Sequence, residues 1–316
     1  MSETLVEIDA QYRQLREECG VLDRSERGKL LVTGSEAAEF LQGQLTNDIE
    51  ALAPGEGCYA TLLDRKGHMQ GDMRVLVVEE AKIWIDTEPE AIDAVRRHLE
   101  MYKIGRDVDV VDVGGERAIV SLIGPRSADL AGSPPLSEYR HAEIAIDGIE
   151  CPAVGTSFGI DLIPHGEDRE RLIAALDTAG APEVSAEAVE ILRIESGTPR
   201  FGSEMDTATM PAEAGIVERA VSFTKGCYIG QETVARLHYK GKPNRHLRGL
   251  RLSALADPGA SLQLGEKEVG KLGGSCVSPV HGPIALAVVR REAEPGAELR
   301  VGEDGVTARV VDLPFG

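Results

Sequence analysis

Hydrophobic and polar positions alternate along this chain in two textures. In the first two thirds they mix strand and helix periods. Residues 9–19 (DAQYRQLREEC) space their apolar positions as an amphipathic helix, and residues 28–34 (GKLLVTG) read as a short strand. The next stretch, SEAAEFL, sets a small polar residue before acids and then Phe40 and Leu41, which predicts a helix with Ser35 as its N-cap. Residues 58–63, 73–78 and 82–86 alternate or run apolar as strands, with Gly67 and Gly71 expected at tight bends, and a helix is expected over 89–102.

A second stretch repeats this order. IVSLIGPRSADL (119–130) matches LLVTGSEAAEFL (30–41) in its sequence of strand, glycine and helix start, and a helix over 168–179 answers the one at 89–102. Two sheet-and-helix halves, a possible duplication, account for residues 20–200. Beyond about 247 the texture changes to short apolar runs punctuated by DPG, LGE, GG, HGP, EPG and GEDG, the rhythm of a small all-β barrel or sandwich. The fold class expected is therefore α+β: a first lobe over 1–115, a second over 116–200, a motif segment over 201–246 packing back on a central pocket, and a C-terminal β-barrel over 247–316.

Charge narrows the possible partners. With 53 acidic and 34 basic residues the chain carries a formal net charge of −19, which excludes broad wrapping of nucleic acid because phosphate binding needs a basic face. No apolar run reaches the roughly 18 residues of a membrane helix, and the start MSETLVEIDAQYRQ lacks the layout of a secretion signal, so no membrane partner and a cytoplasmic location are expected. The five cysteines (19, 58, 151, 227 and 276) show no CxxC spacing, so neither a resident metal site nor a disulfide framework is expected.

Four places carry candidate chemistry. In KGCYIGQE (225–232) a cysteine sits between glycines and follows a lysine, so Cys227 reads either as a reactive thiol or labile metal–sulfur ligand, or as a buried cysteine in a bent loop. Residues 233–256 hold Arg236, Lys240, Lys242, Arg245, Arg248 and Arg251 without one acid, a local positive field suited to a small polyanion or carboxylate, or else a solvated basic face. Glu195, in LRIESGTPRFG, falls at a helix C-terminus where the dipole opposes an acid. It is a candidate ligand contact able to accept two parallel N–H bonds from an amidine-like edge, with Arg193 or Arg200 as alternative structural partners. Asp72 enters a strand after a glycine turn, either as a carboxylate that positions or deprotonates an amine or as an ordinary strand-edge acid.

Together these segments resemble the folate-binding superfamily of the glycine-cleavage T-protein (aminomethyltransferase). Asp23-Arg24-Ser25, Val32-Thr33-Gly34, Phe40-Leu41-Gln42-Gly43 and Thr46-Asn47-Asp48 are similar to its N-terminal signature. KGCYIGQE with Ala235-Arg236 and Lys240-Gly241-Lys242 resembles the signature of its YgfZ branch, which is linked to tetrahydrofolate-dependent synthesis and repair of iron–sulfur clusters. The resemblance implies a three-lobed molecule around a central folate pocket. It also implies a tetrahydrofolate cofactor, or a one-carbon derivative of it, and iron–sulfur enzymes or assembly proteins as partners. Residue by residue, Glu195 would grip the pterin, Asp72 would match one acid of the T-protein's paired aspartates, and Cys227 would be the signature thiol. Arg200, Lys225, Tyr228, Gln231 and Arg236 would complete the cofactor contacts, with Arg236 meeting the folate's glutamate tail.

Two departures favour the YgfZ branch over an aminomethyltransferase or demethylase. Gly71-Asp72 stands where T-proteins carry two adjacent acids, and only 22 residues precede Asp23, so the longer N-terminal stretch of T-proteins is expected to be mostly missing.

Overall fold

A computed structural model describes residues 3–316. The chain divides into two units. The first holds the residues up to Leu62, then 71–186 and 219–229, and the second holds 63–70, 187–218 and 230–316.

In chain order the elements of the first unit are α1 (Glu3–Glu17), β1 (Gly20–Asp23), β2 (Gly28–Thr33), α2 (Ala37–Gln44), β3 (Glu56–Leu63), β4 (Met69–Glu79), β5 (Lys82–Thr87), α3 (Pro89–Tyr102) and β6 (Asp109–Asp112). They continue with β7 (Val120–Ile123), α4 (Ser127–Ala131), β8 (His141–Ile146), β9 (Ile149–Thr156), β10 (Gly159–Leu162) and α5 (Arg169–Thr178). The turn between β3 and β4 counts with the second unit. Two five-stranded sheets result, ordered β3-β4-β5-β2-β6 and β8-β9-β10-β7-β1. Position for position this is one plan used twice, and the observed pairings are antiparallel. The copies differ in the fifth strand, which is β6 in one sheet and β1, from the start of the chain, in the other.

The repeated glycine has a steric reason. Gly34 and Gly124 have φ of +119° and +131°, and a Cβ would lie 2.1 Å from the Asp107 carbonyl oxygen in one copy and 2.4 Å from that of Glu18 in the other. No side chain fits at either turn. The two sheets meet across a small apolar cluster of Leu76, Trp84, Val113, Val154 and Ile163. Beside it lies a buried ionic joint. Arg74 Nε donates to Asp86 (2.8 Å) and Nη1 to Asp161 (2.8 Å), while Ser121 Oγ donates to the other oxygen of Asp161 (2.6 Å).

The second unit contains α6 (Ala186–Ser196), the first half of the short α7 (Val217–Ala220), α8 (Gln231–Lys240) and seven strands: β11 (Arg245–Leu252), β12 (Ser261–Leu264), β13 (Lys267–Lys271), β14 (Ser275–Ser278), β15 (Gly282–Arg290), β16 (Glu298–Val301) and β17 (Val306–Val311). The strand order β11-β17-β16-β12-β13-β15 closes because β15 also pairs with β11 over Arg245–Arg251, giving a six-stranded barrel with β14 attached to β15. Its interior is the alternating apolar set that includes Leu250, Leu262, Val269, Ala287, Leu299 and Val310.

Some local expectations fail for physical reasons. Ser35 does not cap α2: its hydroxyl and backbone N–H both go to Asp107 (2.6 and 3.2 Å), and Glu36 occupies the cap position. Gly67 does sit in a turn, with φ +85°, but Gly71 lies inside β4 and makes no bend. A Cβ there would come within 2.9 Å of Ala91 and 3.0 Å of Val95, so the missing side chain is what lets α3 pack against the sheet. The basic stretch after residue 232, to which the spacing assigns no element, runs through the helix α8 and then β11.

Candidate functional site

In the first unit the candidate residues lie around the C-terminal end of α2 and the strands β3 and β4. The Thr46-Asn47-Asp48 segment stitches the motif region down: Thr46 Oγ1 donates to the Ala220 carbonyl (2.6 Å), its own carbonyl accepts from Ser222 N (3.0 Å), and Asn47 Nδ2 donates to the carbonyls of Tyr59 (2.8 Å) and Arg219 (3.0 Å). Gln42 fixes the same turn by accepting from Ile49 N (2.7 Å) and donating to Asp48 (2.9 Å).

Lys225 then locks the motif loop. Its ammonium donates to the carbonyl oxygens of Gln42 (2.6 Å), Leu45 (2.6 Å) and Asn47 (2.8 Å), so all three donors are used at the α2 C-terminus. Burial lowers its pKa to about 8, and the three oxygens hold the ammonium form at neutral pH. With every donor engaged, Lys225 positions the loop and has none left for a ligand. Tyr228 lies next to it, buried, with its ring 5.1 Å from the ammonium and its hydroxyl without a hydrogen-bond partner.

Between these two residues Cys227 is exposed. The other thiols are not: Cys19, Cys58 and Cys151 are buried and Cys276 half-buried, and burial raises their pKa values to about 11 or 12. Of the flanking glycines, Gly230 requires its freedom, with φ +84° and the Asp64 carbonyl 2.6 Å from where a Cβ would stand, whereas Gly226 adopts no such conformation.

Asp72 is the most strongly prepared acid in this unit. It is buried, Tyr59 donates to its Oδ2 at 2.6 Å, and its Oδ1 is buried with no partner. Burial raises its pKa to about 6, against the opposing pull of the Tyr59 hydrogen bond. Because successive strand residues face opposite sides, Asp72 looks toward Tyr59 while position 71 looks toward α3. The acid absent at 71 would therefore have stood against the helix, away from Tyr59. Tyr59 was not anticipated from the sequence: its link to Asp72 depends on pairing between β3 and β4, which no local motif encodes.

In the second unit Glu195 lies in the last turn of α6, buried, and accepts from Ser278 Oγ at 2.6 Å; that Oγ in turn accepts from the N–H groups of Val280 (3.0 Å) and His281 (2.9 Å). The alternative arginine partners are engaged elsewhere. Arg193 grips Glu204 (2.8 and 3.0 Å) and Glu190 (2.7 Å), and Arg200 pairs with Glu190 (3.1 Å). Gln231 opens α8, and Arg236 on the same helix is exposed with Lys240 and Lys242. The positive field is smaller than its letters suggested. Arg245 is paired with Glu213 (2.7 Å), Arg248 lies 3.9 Å from Asp312, and Arg251 donates to the Gly316 carbonyl (2.8 Å). Among the described residues no group of three or more His, Cys, Asp or Glu side chains is arranged to hold a metal ion, and no helix is long and apolar enough to cross a membrane.

These features define a protein of the aminomethyltransferase type of fold. Residues 3–225 match the model of the GCVT N-terminal domain, and the chain belongs to that family. An aminomethyltransferase of Rubrobacter xylanophilus is 29% identical over 98% of this chain and 86% of its own length. One of Thermotoga neapolitana is 28% identical over 95% and 87%. The crystal structure of the glycine cleavage system aminomethyltransferase T from Bartonella henselae superposes with a TM-score of 0.87 over 98% of this chain and 89% of that one, at 23% identity. The fold is thus the T-protein fold, mixed α+β with a closed C-terminal barrel.

Proposed function

We propose that this chain is a tetrahydrofolate-binding protein of the YgfZ branch, which supports synthesis or repair of iron–sulfur clusters through Cys227. The observation that carries the reading is the contrast among the thiols. Cys227 is the exposed one, on a loop whose preceding lysine spends three short hydrogen bonds on holding it in place.

Two buried carboxylates, one in each unit, have by themselves the chemistry to accept from the N–H groups of a reduced pterin. Asp72 offers a buried acceptor atom without a partner, and Glu195 offers a buried carboxylate already aligned by Ser278. Glu195 would take the amidine-like N–H edge, and Asp72 Oδ1 would hold a proton at an amine, ionised above a pH of about 6. When bound, tetrahydrofolate supplies an N5 amine able to carry a one-carbon unit. Arg236, exposed on α8, is available to a glutamate tail. Iron–sulfur enzymes or their assembly proteins would be the partners, met at the Cys227 loop.

The test is replacement in cells lacking the chain. Cys227→Ser should leave the protein folded and fail to restore iron–sulfur enzyme activities, while Cys276→Ser restores them. Full restoration by Cys227→Ser would refute the thiol's part.

A second reading, aminomethyl transfer or demethylation on the T-protein pattern, is favoured by the geometry at residues 71 and 72. The retained acid is the one that shares its face with Tyr59, so losing the other removes nothing from that face. Release of ammonia and methylenetetrahydrofolate from an aminomethylated carrier protein, abolished in Asp72→Asn, is its signature.

A further inference from the structure

One face of the β3-β4-β5-β2-β6 sheet carries its side chains in rows. Leu76, Trp84 and Leu31 stand opposite one another on β4, β5 and β2, and two positions along the strands come Arg74, Asp86 and Lys29. Carried two positions further, the same register sets Asp72 opposite Glu88, just after β5, with Arg27, just before β2, next in the row. Residues two apart on a strand share a face, so this row belongs with the others. Tyr59 of β3 completes it through its hydroxyl on Asp72. Directly opposed side chains stand about 4.5 to 5.5 Å apart at Cβ, and like charges so placed repel.

The cations of this face are spent on Glu88 and Asp86. Arg27 donates Nη1 to Glu88, and Nε and Nη2 to Asp86 Oδ1 (3.1 and 2.9 Å). Arg24 Nη2 lies 3.7 Å from Glu88, and Arg74 Nε donates to the other oxygen of Asp86. Lys29 donates to the carbonyls of Ser25 (2.7 Å) and Arg27 (2.8 Å), which fixes the turn that presents Arg27. Asp72 is left with the Tyr59 hydroxyl at Oδ2 and no hydrogen bond at Oδ1. Beyond Tyr59, the Arg219 guanidinium lies 5.4 Å from the centre of its ring and pairs with Glu138 (2.7 Å). Burial is the main cause that raises the Asp72 pKa; the Tyr59 hydrogen bond opposes it, the Glu88 charge adds to it and the Arg27 charge reduces it.

We infer that Glu88, held by Arg24 and Arg27, is a positioning residue that sets the charge on Asp72: the row acts as one proton-holding device, with Asp72 as the group that gains and loses the proton. Glu88 needs no ligand contact for this, because charges on a buried face are screened far less than exposed ones. A carboxyl that titrates close to neutral pH can both hold and release a proton under ordinary conditions, as a general acid–base group must. Use of that proton at a folate amine rests on the function proposed above, whereas the coupling itself does not.

The test is made on the whole protein without ligand. The infrared band of the protonated carboxyl group is followed against pH, and each protein is referenced to the same protein carrying Asp72→Asn, so that the difference reports Asp72. In the wild type the band should fade with a midpoint at about 6. Glu88→Gln should move the midpoint down by about one pH unit, and Arg24→Gln, which strips Glu88 of its outer cation, should move it up by less. Arg24→Gln is the milder change and decides alone where Glu88→Gln does not fold. The inference is overturned if either variant leaves the midpoint at about 6 or moves it the other way. Tetrahydrofolate titrations over the same pH range keep the two claims apart. Moved midpoints without folate binding uphold the coupling and remove the folate reading, and folate binding with unmoved midpoints does the reverse.

Discussion

The two sheets of the first unit use one strand order, yet a single copy is equipped with a prepared acid. Following the pairings outward from the repeated glycine, Thr33 corresponds to Ile123, Trp84 to Asp161, Leu76 to Val154 and Asp72 to Glu150. Asp72 is buried against Tyr59 with its pKa raised to about 6, whereas Glu150 is exposed. Arg74, two residues further along β4, has Pro152 as its counterpart and crosses to the other sheet's Asp161. The same backbone plan thus holds a buried acid with a raised pKa in one copy and an exposed acid in the other. The difference lies in burial and in partners reached across the sheets.

The comparison can be broken most severely at the ionic joint. Arg74→Met leaves the Asp161 charge with Ser121 but without its cation and weakens the hold on Asp86, and should cost about 3 to 5 kcal/mol in denaturant unfolding. A loss below about 1 kcal/mol would mean that the sheets do not depend on the joint. Next comes the motif loop. Lys225→Met leaves three carbonyl oxygens, one buried and two partly buried, without their donor and should cost about 1 to 3 kcal/mol, with faster alkylation of Cys227 as the loop loosens. An unchanged alkylation rate would separate the lysine from the thiol.

Asp72→Asn should act in the opposite direction. A carboxyl whose pKa is higher folded than unfolded costs stability as pH rises, from nothing below about 4 to its full value above about 6. The substitution should therefore stabilise the protein by about 2 to 3 kcal/mol at pH 8 and by nearly nothing at pH 4, while impairing function. A gain independent of pH would contradict the raised pKa. Glu150→Gln, at the matching position of the other sheet, should shift stability by less than about 0.5 kcal/mol and leave function intact.

Much of this plan is legible in the sequence because it rests on local signals. The helix expected over 89–102 is observed as Pro89–Tyr102, opened by its proline, and the strands at 58–63 and 82–86 follow their apolar runs. The glycine that closes the repeated strand is visible because only glycine fits there. What stays hidden depends on distance along the chain. Lys225 reads as a cofactor contact beside its cysteine, yet its acceptors lie about 180 residues earlier. Tyr59 and Ser278 become partners of Asp72 and Glu195 through tertiary pairing. In α8 only Val234 and Leu237 mark an apolar spacing among polar positions, and β1, four residues long, is too short to stand out.

The account turns on one ligand, and the most direct measurement is anaerobic calorimetric titration with tetrahydrofolate of the wild type, Asp72→Asn, Glu150→Gln and Glu195→Gln. Binding by the wild type and by Glu150→Gln, with at least about tenfold weakening in Glu195→Gln and a measurable loss in Asp72→Asn, is the predicted result. Absence of binding by the wild type, or equal affinity in all four proteins, would contradict it.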